Sequence, residues 1–137
     1  MKTIFFCFFL FCITGSQAQI EDFYQMADSI EKPGVLRHVV LFKFKADTPG
    51  DTLQNIEKAF YTLPEKIPEI ADFEWGLNNS PEGINKGFTH CFVLTFSSEQ
   101  DRAVYLPHPD HKRFGEILDP WLEDVLVIDY WSHTGED

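Results

Sequence analysis

Two stretches of the chain are apolar on both faces of a strand. In Leu36–Lys45, alternation puts His38, Val40, Phe42 and Phe44 on one face and Arg37, Val39, Leu41 and Lys43 on the other. In Phe88–Phe96, His90, Phe92, Leu94 and Phe96 share one face, and Thr89, Cys91, Val93 and Thr95 share the other. A sheet with one wet face alternates apolar with polar residues. Val39, Leu41, Cys91 and Val93 break that rule, so the second face needs a cover as well as the first. This requirement narrows the fold more than any other feature of the sequence.

The remaining segments supply a cover for one face only. Thr48-Pro49-Gly50-Asp51 reads as a helix start, with proline early and an acid in the first turn. Leu53, Ile56, Phe60 and Leu63 follow at helical spacing, and Pro64 and Pro68 stop the helix. Ile70–Leu77 reads as a strand carrying Phe73, Trp75 and Leu77 on one face. A polar turn with Pro81, Gly83 and Gly87 leads to the strand at Phe88. Ser97-Ser98-Glu99-Gln100 resembles a capping box with Ser97 as cap and Gln100 reaching back. The helix it opens runs to Tyr105 and breaks at Pro107. A second begins at Pro109 and runs to Leu118, before Pro120. Val125–Trp131 is the last strand. The order is βαββαβ with the second helix broken in two, which predicts an α+β, ferredoxin-like antiparallel sheet with its helices on one face. No element is left for the other face. A second copy packed sheet to sheet, as an isologous homodimer, is the economical cover.

The first residues read as a leader. Lys2 precedes an apolar run from Ile4 to Ile13, and Ser16-Gln17-Ala18 supplies small residues at a cleavage site after Ala18. The run is about ten residues, too short to cross a bilayer as a helix. Residues 1–18 are therefore expected to be a signal peptide, and the protein to be exported, either periplasmic or secreted, without stable membrane insertion after cleavage. Residues 19–34 form an N-terminal arm or helix, 35–132 the domain and 133–137 a C-terminal tail. Loss of the leader removes Cys7 and Cys12 and leaves Cys91 alone, so no internal disulfide is expected. With 22 acids against 11 bases and a net charge of −11, a nucleic-acid backbone is not expected as a partner.

Five histidines could carry chemistry. Alternation places His38 and His90 under the helices. In a helix starting at Pro109, His111, Phe114 and Leu118 form one stripe, which points His111 toward the same interior. The positive end of that helix favours neutral imidazole, which can accept a proton. Tyr105, six residues earlier, reaches the same space. His111 as general acid or base and Tyr105 as donor to a substrate oxygen make a candidate catalytic pair. The alternative is that both are satisfied core residues. Phe42 and Phe60, on the inward faces of the first strand and first helix, are candidate pocket walls. His108, Asp110 and His111 are too few for a zinc site, there is no HExxH, and no metal is expected. Neither a GxGxxG, a P-loop nor a GxSxG occurs, so no cofactor is expected. Asp129 reads as pairing with a neighbour and is not assigned to chemistry.

The segments LRHVVLFKFK, GFTHCFVLTF, YLPHPDHKRFGEILDPW and VLVIDYW together resemble the stress-responsive α/β-barrel (Dabb) family over about residues 35–132. The resemblance implies a dimeric α+β barrel in which two ferredoxin-like sheets face each other. One plant branch of the family closes a linear polyketide by cofactor-free aldol condensation. By resemblance its catalytic pair matches Tyr105 and His111, and its pocket positions match His38, His90, Phe114 and Trp121. The expectation is an exported homodimer with a small apolar pocket, performing cyclase- or lyase-like acid-base chemistry on a small hydrophobic carbonyl compound. The alternative is a dimer that holds a small apolar ligand, or has a structural role, without turnover.

Overall fold

The computed structural model describes residues 34–133. The expected signal peptide over residues 1–18, nearly all of the expected N-terminal arm and the end of the expected C-terminal tail lie outside the described residues. The elements follow in the order β1 (Leu36–Phe44), α1 (Gly50–Tyr61), α2 (Leu63–Lys66), β2 (Asp72–Leu77), β3 (His90–Phe96), α3 (Glu99–Tyr105), α4 (Pro109–Leu118) and β4 (Leu122–Trp131). A 3-10 turn at Asp119–Trp121 joins α4 to β4. The four strands form one antiparallel sheet in the order β2-β3-β1-β4. This is the α+β, ferredoxin-like arrangement expected from the alternation.

Each local feature has a cause in the sequence. Pro49 holds extended backbone ahead of α1, and Asp51 places a negative charge in its first turn. Pro64 does not stop the chain from turning, because a proline fits the first turn of a helix, and α2 begins there. Ile67 and Ile70 then drop into the core. The cap of α3 is Ser98, not Ser97. Ser98 is the extended residue, and its hydroxyl accepts from the Asp101 amide at 3.1 Å. Adjacent serines make the two positions alike in sequence, and the backbone decides between them. Gly87 lies at φ +88°, where a Cβ would sit 2.7 Å from Lys43 Cε, so the turn into β3 requires glycine.

The core is aromatic. Phe42, Phe60, Phe92, Phe96, Tyr105 and Phe114 are buried with Leu36, Ile56, Leu63 and Leu94. Phe60 stands at its centre, 4.3 Å from the Phe92 ring, 4.6 Å from Phe114 and 5.6 Å from Phe73. One turn of α1 thereby ties β2, β3 and α4 together. Such ring pairs add roughly 0.5–1.5 kcal/mol each beyond the area they bury.

The outer face of the sheet is as apolar as its sequence implies. By register, Val39, Leu41, Val93, Leu126 and Ile128 lie on the side away from the helices. Leu126 and Ile128 are 42% and 46% exposed. Near one end of this face Arg37 crosses to donate to Thr95 Oγ1.

Candidate functional site

β4 is an edge strand, and the helices do not reach over it fully. Its helix-side residues Val125 and Val127 are 43% and 47% exposed. They form one wall of a cleft of about 690 Å³ between the sheet and helices α3 and α4. Phe42, Phe60 and Phe114 make its apolar floor, and His38, Tyr105, His111, Arg102 and Asp129 supply its polar groups.

Tyr105 is the last residue of α3 and His111 lies in the first turn of α4. The corner between them is fixed by backbone bonds. The His108 amide donates to the Tyr105 carbonyl at 3.0 Å, and the Lys112 amide to the His108 carbonyl at 3.0 Å. His108 caps α4 by accepting the Asp110 amide on Nδ1 at 3.2 Å. Its role is therefore that of a cap. Pro109 opens the helix at a position where no amide is needed. This corner brings the Tyr105 and His111 rings to a centroid separation of 4.2 Å.

The protonation of the pair is set by its surroundings. His111 Nδ1 lies 3.0 Å from the Leu106 carbonyl. A carbonyl only accepts, so Nδ1 carries the hydrogen and Nε2 keeps its lone pair. Burial pushes the imidazole below its usual value, the Leu106 carbonyl opposes this, and His38 and His108 push the same way as burial. The neutral form expected from the helix end is thus favoured, with burial as the leading cause. Tyr105 is fully buried, and its hydroxyl has no hydrogen-bond partner among the described residues. Burial pushes its pKa well above that of a free phenol, so it remains a donor.

His38 joins this group. Its ring centroid is 5.8 Å from that of Tyr105, and its Nδ1 lies 2.9 Å from Asp129 Oδ1. Arg102 Nη1 lies 3.0 Å from the same oxygen. Burial raises the Asp129 pKa, but the hydrogen bonds from His38 and Arg102 outweigh it and hold the carboxyl below its usual value. Asp129 and Arg102 were not singled out for chemistry by the sequence. The available signal was an acid at an inward position, in step with Val125 and Val127.

Two expected pocket residues lie elsewhere. His90 is buried on the helix side, but opposite Phe42 and Leu77 toward the other end of the sheet. There Nε2 is 3.1 Å from Glu57 Oε1 and Nδ1 is 2.8 Å from the Thr89 hydroxyl. Alternation gives the face of a residue, not its position along the sheet, and His90 is not among the residues that line the cleft. Trp121 packs against the edge of the core from the 3-10 turn and does not line the cleft. Among the described residues, no cluster of three or more His, Cys, Asp or Glu side chains could hold a metal. None of the described helices is long and apolar enough to cross a membrane.

Comparison with known proteins agrees with this architecture. A stress-response A/B barrel domain protein, HS1, from Arabidopsis thaliana is 36% identical over 100 residues, covering 73% of this chain and 92% of the relative. Olivetolic acid cyclase from Cannabis sativa is 28% identical over 95 residues, covering 69% and 94%. Among solved structures, the hydroxynitrile lyase from Passiflora edulis matches with a TM-score of 0.70 and 25% identity, over 77% of this chain and 99% of that one. A dimeric protein of unknown function and ferredoxin-like fold from Bacteroides fragilis matches with a TM-score of 0.60 and 30% identity, over 72% and 97%. The sequence profile of the stress responsive A/B barrel domain matches residues 36–132, from the first residue of β1 to just beyond β4. By this match and by its fold, the chain belongs to the stress-responsive A/B barrel (Dabb) family.

Proposed function

We propose that the protein is an exported homodimer whose cleft performs cofactor-free acid-base chemistry on a small hydrophobic carbonyl compound or its hydroxyl adduct. The observation that carries this reading is the pairing of a buried, unpartnered Tyr105 hydroxyl with a neutral His111 ring 4.2 Å away in one apolar cleft. A buried hydroxyl without a partner costs about 1–3 kcal/mol, and a ligand oxygen at that point would remove the cost. In the proposed reaction His111 Nε2 takes a proton from the substrate, and the Tyr105 O–H donates to the oxygen on which charge collects. For a hydroxynitrile, the hydroxyl proton passes to His111, the bond to the cyano carbon breaks, a carbonyl forms, and cyanide leaves with that proton. The cyclase and lyase among the relatives support this class of chemistry. The exposed apolar outer face and the dimeric relative support the homodimer, with the two sheets face to face. Export rests on the Lys2–Ala18 leader pattern.

The test is turnover of racemic mandelonitrile and of aromatic aldehydes with an enolisable ketone, alongside native mass spectrometry. Turnover by the wild type that His111→Ala abolishes supports the enzyme reading. Binding of the aldehyde without turnover supports the alternative of a ligand-holding module. A monomer that neither binds nor turns over any of these compounds overturns both.

A further inference from the structure

Gly115 stands inside α4, before the end of the helix and one turn after His111. Glycine is a poorer helix former than alanine, so a helix that keeps one in its interior needs a reason. The common reasons are absent. The backbone at Gly115 is helical and its carbonyl accepts the Asp119 amide, so the turn is neither left-handed nor broken. A Cβ built at Gly115 would meet no other element within 4 Å. Gly87, by contrast, has φ +88°, and a Cβ there would come within 2.7 Å of Lys43 Cε. Neither backbone conformation nor packing therefore accounts for the glycine of α4. What the position does border is the cleft. Gly115 lines it between His111 and Leu118 of the same helix, while Val125 and Val127 line it from β4. The i, i+4 spacing puts the missing side chain on the same stripe as the His111 ring.

Resting on the function proposed above, the structure assigns Gly115 as a specificity-determining residue for that reaction. The space left by its absent side chain, beside His111, receives the apolar group carried by the reacting carbon of the substrate. Phe42, Phe60 and Phe114 floor the same cleft, and a flat aromatic group is the shape that packs on such rings. Phe114 precedes Gly115 on α4 and holds its ring 4.6 Å from Phe60, so the floor beside the glycine is fixed by the core. The substrate class narrows to aryl carbonyl compounds and their hydroxyl adducts, in preference to those bearing a small alkyl group alone. A methyl group at this position meets no other element and does not reach the His111 ring. It takes space from a ligand and leaves the proposed donor and base where they are.

The experiment compares the wild type, Gly115→Ala and Gly115→Leu by three readings. These are thermal unfolding, kcat/KM for racemic mandelonitrile relative to acetone cyanohydrin, and the Kd of 4-fluoroacetophenone by fluorine NMR. The alanine variant is expected to unfold at a higher temperature than the wild type, because it gains helix propensity and meets no neighbour. Its ratio of aryl to alkyl kcat/KM is expected to fall, and that of the leucine variant to fall roughly tenfold or more, the scale on which added methylenes in a pocket discriminate. The Kd of 4-fluoroacetophenone should rise in the same order. A glycine with no part in specificity would move the unfolding temperature and leave the ratio and the Kd where they were. A folded leucine variant with the wild-type ratio and Kd therefore overturns the inference. So does an alanine variant that unfolds at a lower temperature, since the fold itself would then require glycine. A wild type that binds 4-fluoroacetophenone but turns over neither cyanohydrin overturns the proposed reaction, and the Kd series still decides the role of Gly115. A wild type that neither binds nor turns over overturns both. If Gly115→Leu does not fold, the ratio and Kd of Gly115→Ala decide.

Discussion

Tyr105 and His111 belong to different helices, yet their rings lie 4.2 Å apart and inclined by 35° across a proline corner. The proposed donor and base are thus placed by backbone, not by a direct hydrogen bond between them.

His111→Ala removes the base while the hydrogen bond it loses is to a carbonyl exposed at the corner. Turnover is expected to fall by at least roughly a hundredfold, the scale of general-base loss, with stability changed by less than about 1 kcal/mol. Initial rates and thermal unfolding followed by circular dichroism check the two parts.

Tyr105→Phe separates function from stability in the opposite sense. The hydroxyl is buried without a partner, so its removal relieves a desolvation cost of about 1–3 kcal/mol while the ring keeps its packing against Phe96. The variant is expected to melt at a higher temperature than the wild type and to lose turnover. A lower melting temperature would mean that the hydroxyl is satisfied in solution.

Acidification acts through His111 and then Asp129. Burial lowers the His111 pKa in the folded state from its usual 6.5, so the unfolded chain binds the proton first. Stability contributed by neutral His111 is whole above 6.5 and declines as pH falls from there to the lower folded value. Asp129, held below its usual 3.8, contributes stability that is whole above 3.8 and is lost as pH falls through its folded value. Chemical denaturation at a series of pH values should show two successive losses. His111→Ala should abolish the first, and the low-pH limb of the rate profile should lie below the value of a free histidine.

Glu57→Ala tests the histidine outside the cleft. His90 loses the acceptor of its Nε2 hydrogen, and a buried donor without a partner costs about 1–3 kcal/mol. Stability should fall by that order while turnover at the cleft is unchanged.

Leu126→Asp places a charge on the exposed outer face, at mid-length of β4. If two copies meet there, native mass spectrometry should show the dimer give way to monomer, with the fold of each chain retained.

The fold was legible because short apolar runs rich in β-branched and aromatic residues, as in Val39 to Phe42 and Cys91 to Leu94, are bounded by turn residues and alternate in order with helical spacings. Tyr105 and His111 were legible because helical spacing and two prolines fix a corner locally. For His90 alternation gave the face but not the position along the sheet, since the pairing of Phe42 with His90 is a tertiary fact. The partnership of His38 with Asp129 depends likewise on the register of β1 against β4, across 91 positions of sequence. Local pattern does not determine such a register.

The valines of β4 that wall the cleft stand on an edge strand, nearly half exposed. Replacing them changes the room available to a ligand without opening a cavity beneath Phe60. The chemical end of the cleft, by contrast, is tied into three elements at once. A fold built this way can change the room in its cleft along one strand, one side chain at a time, while the cluster at the polar end keeps its geometry.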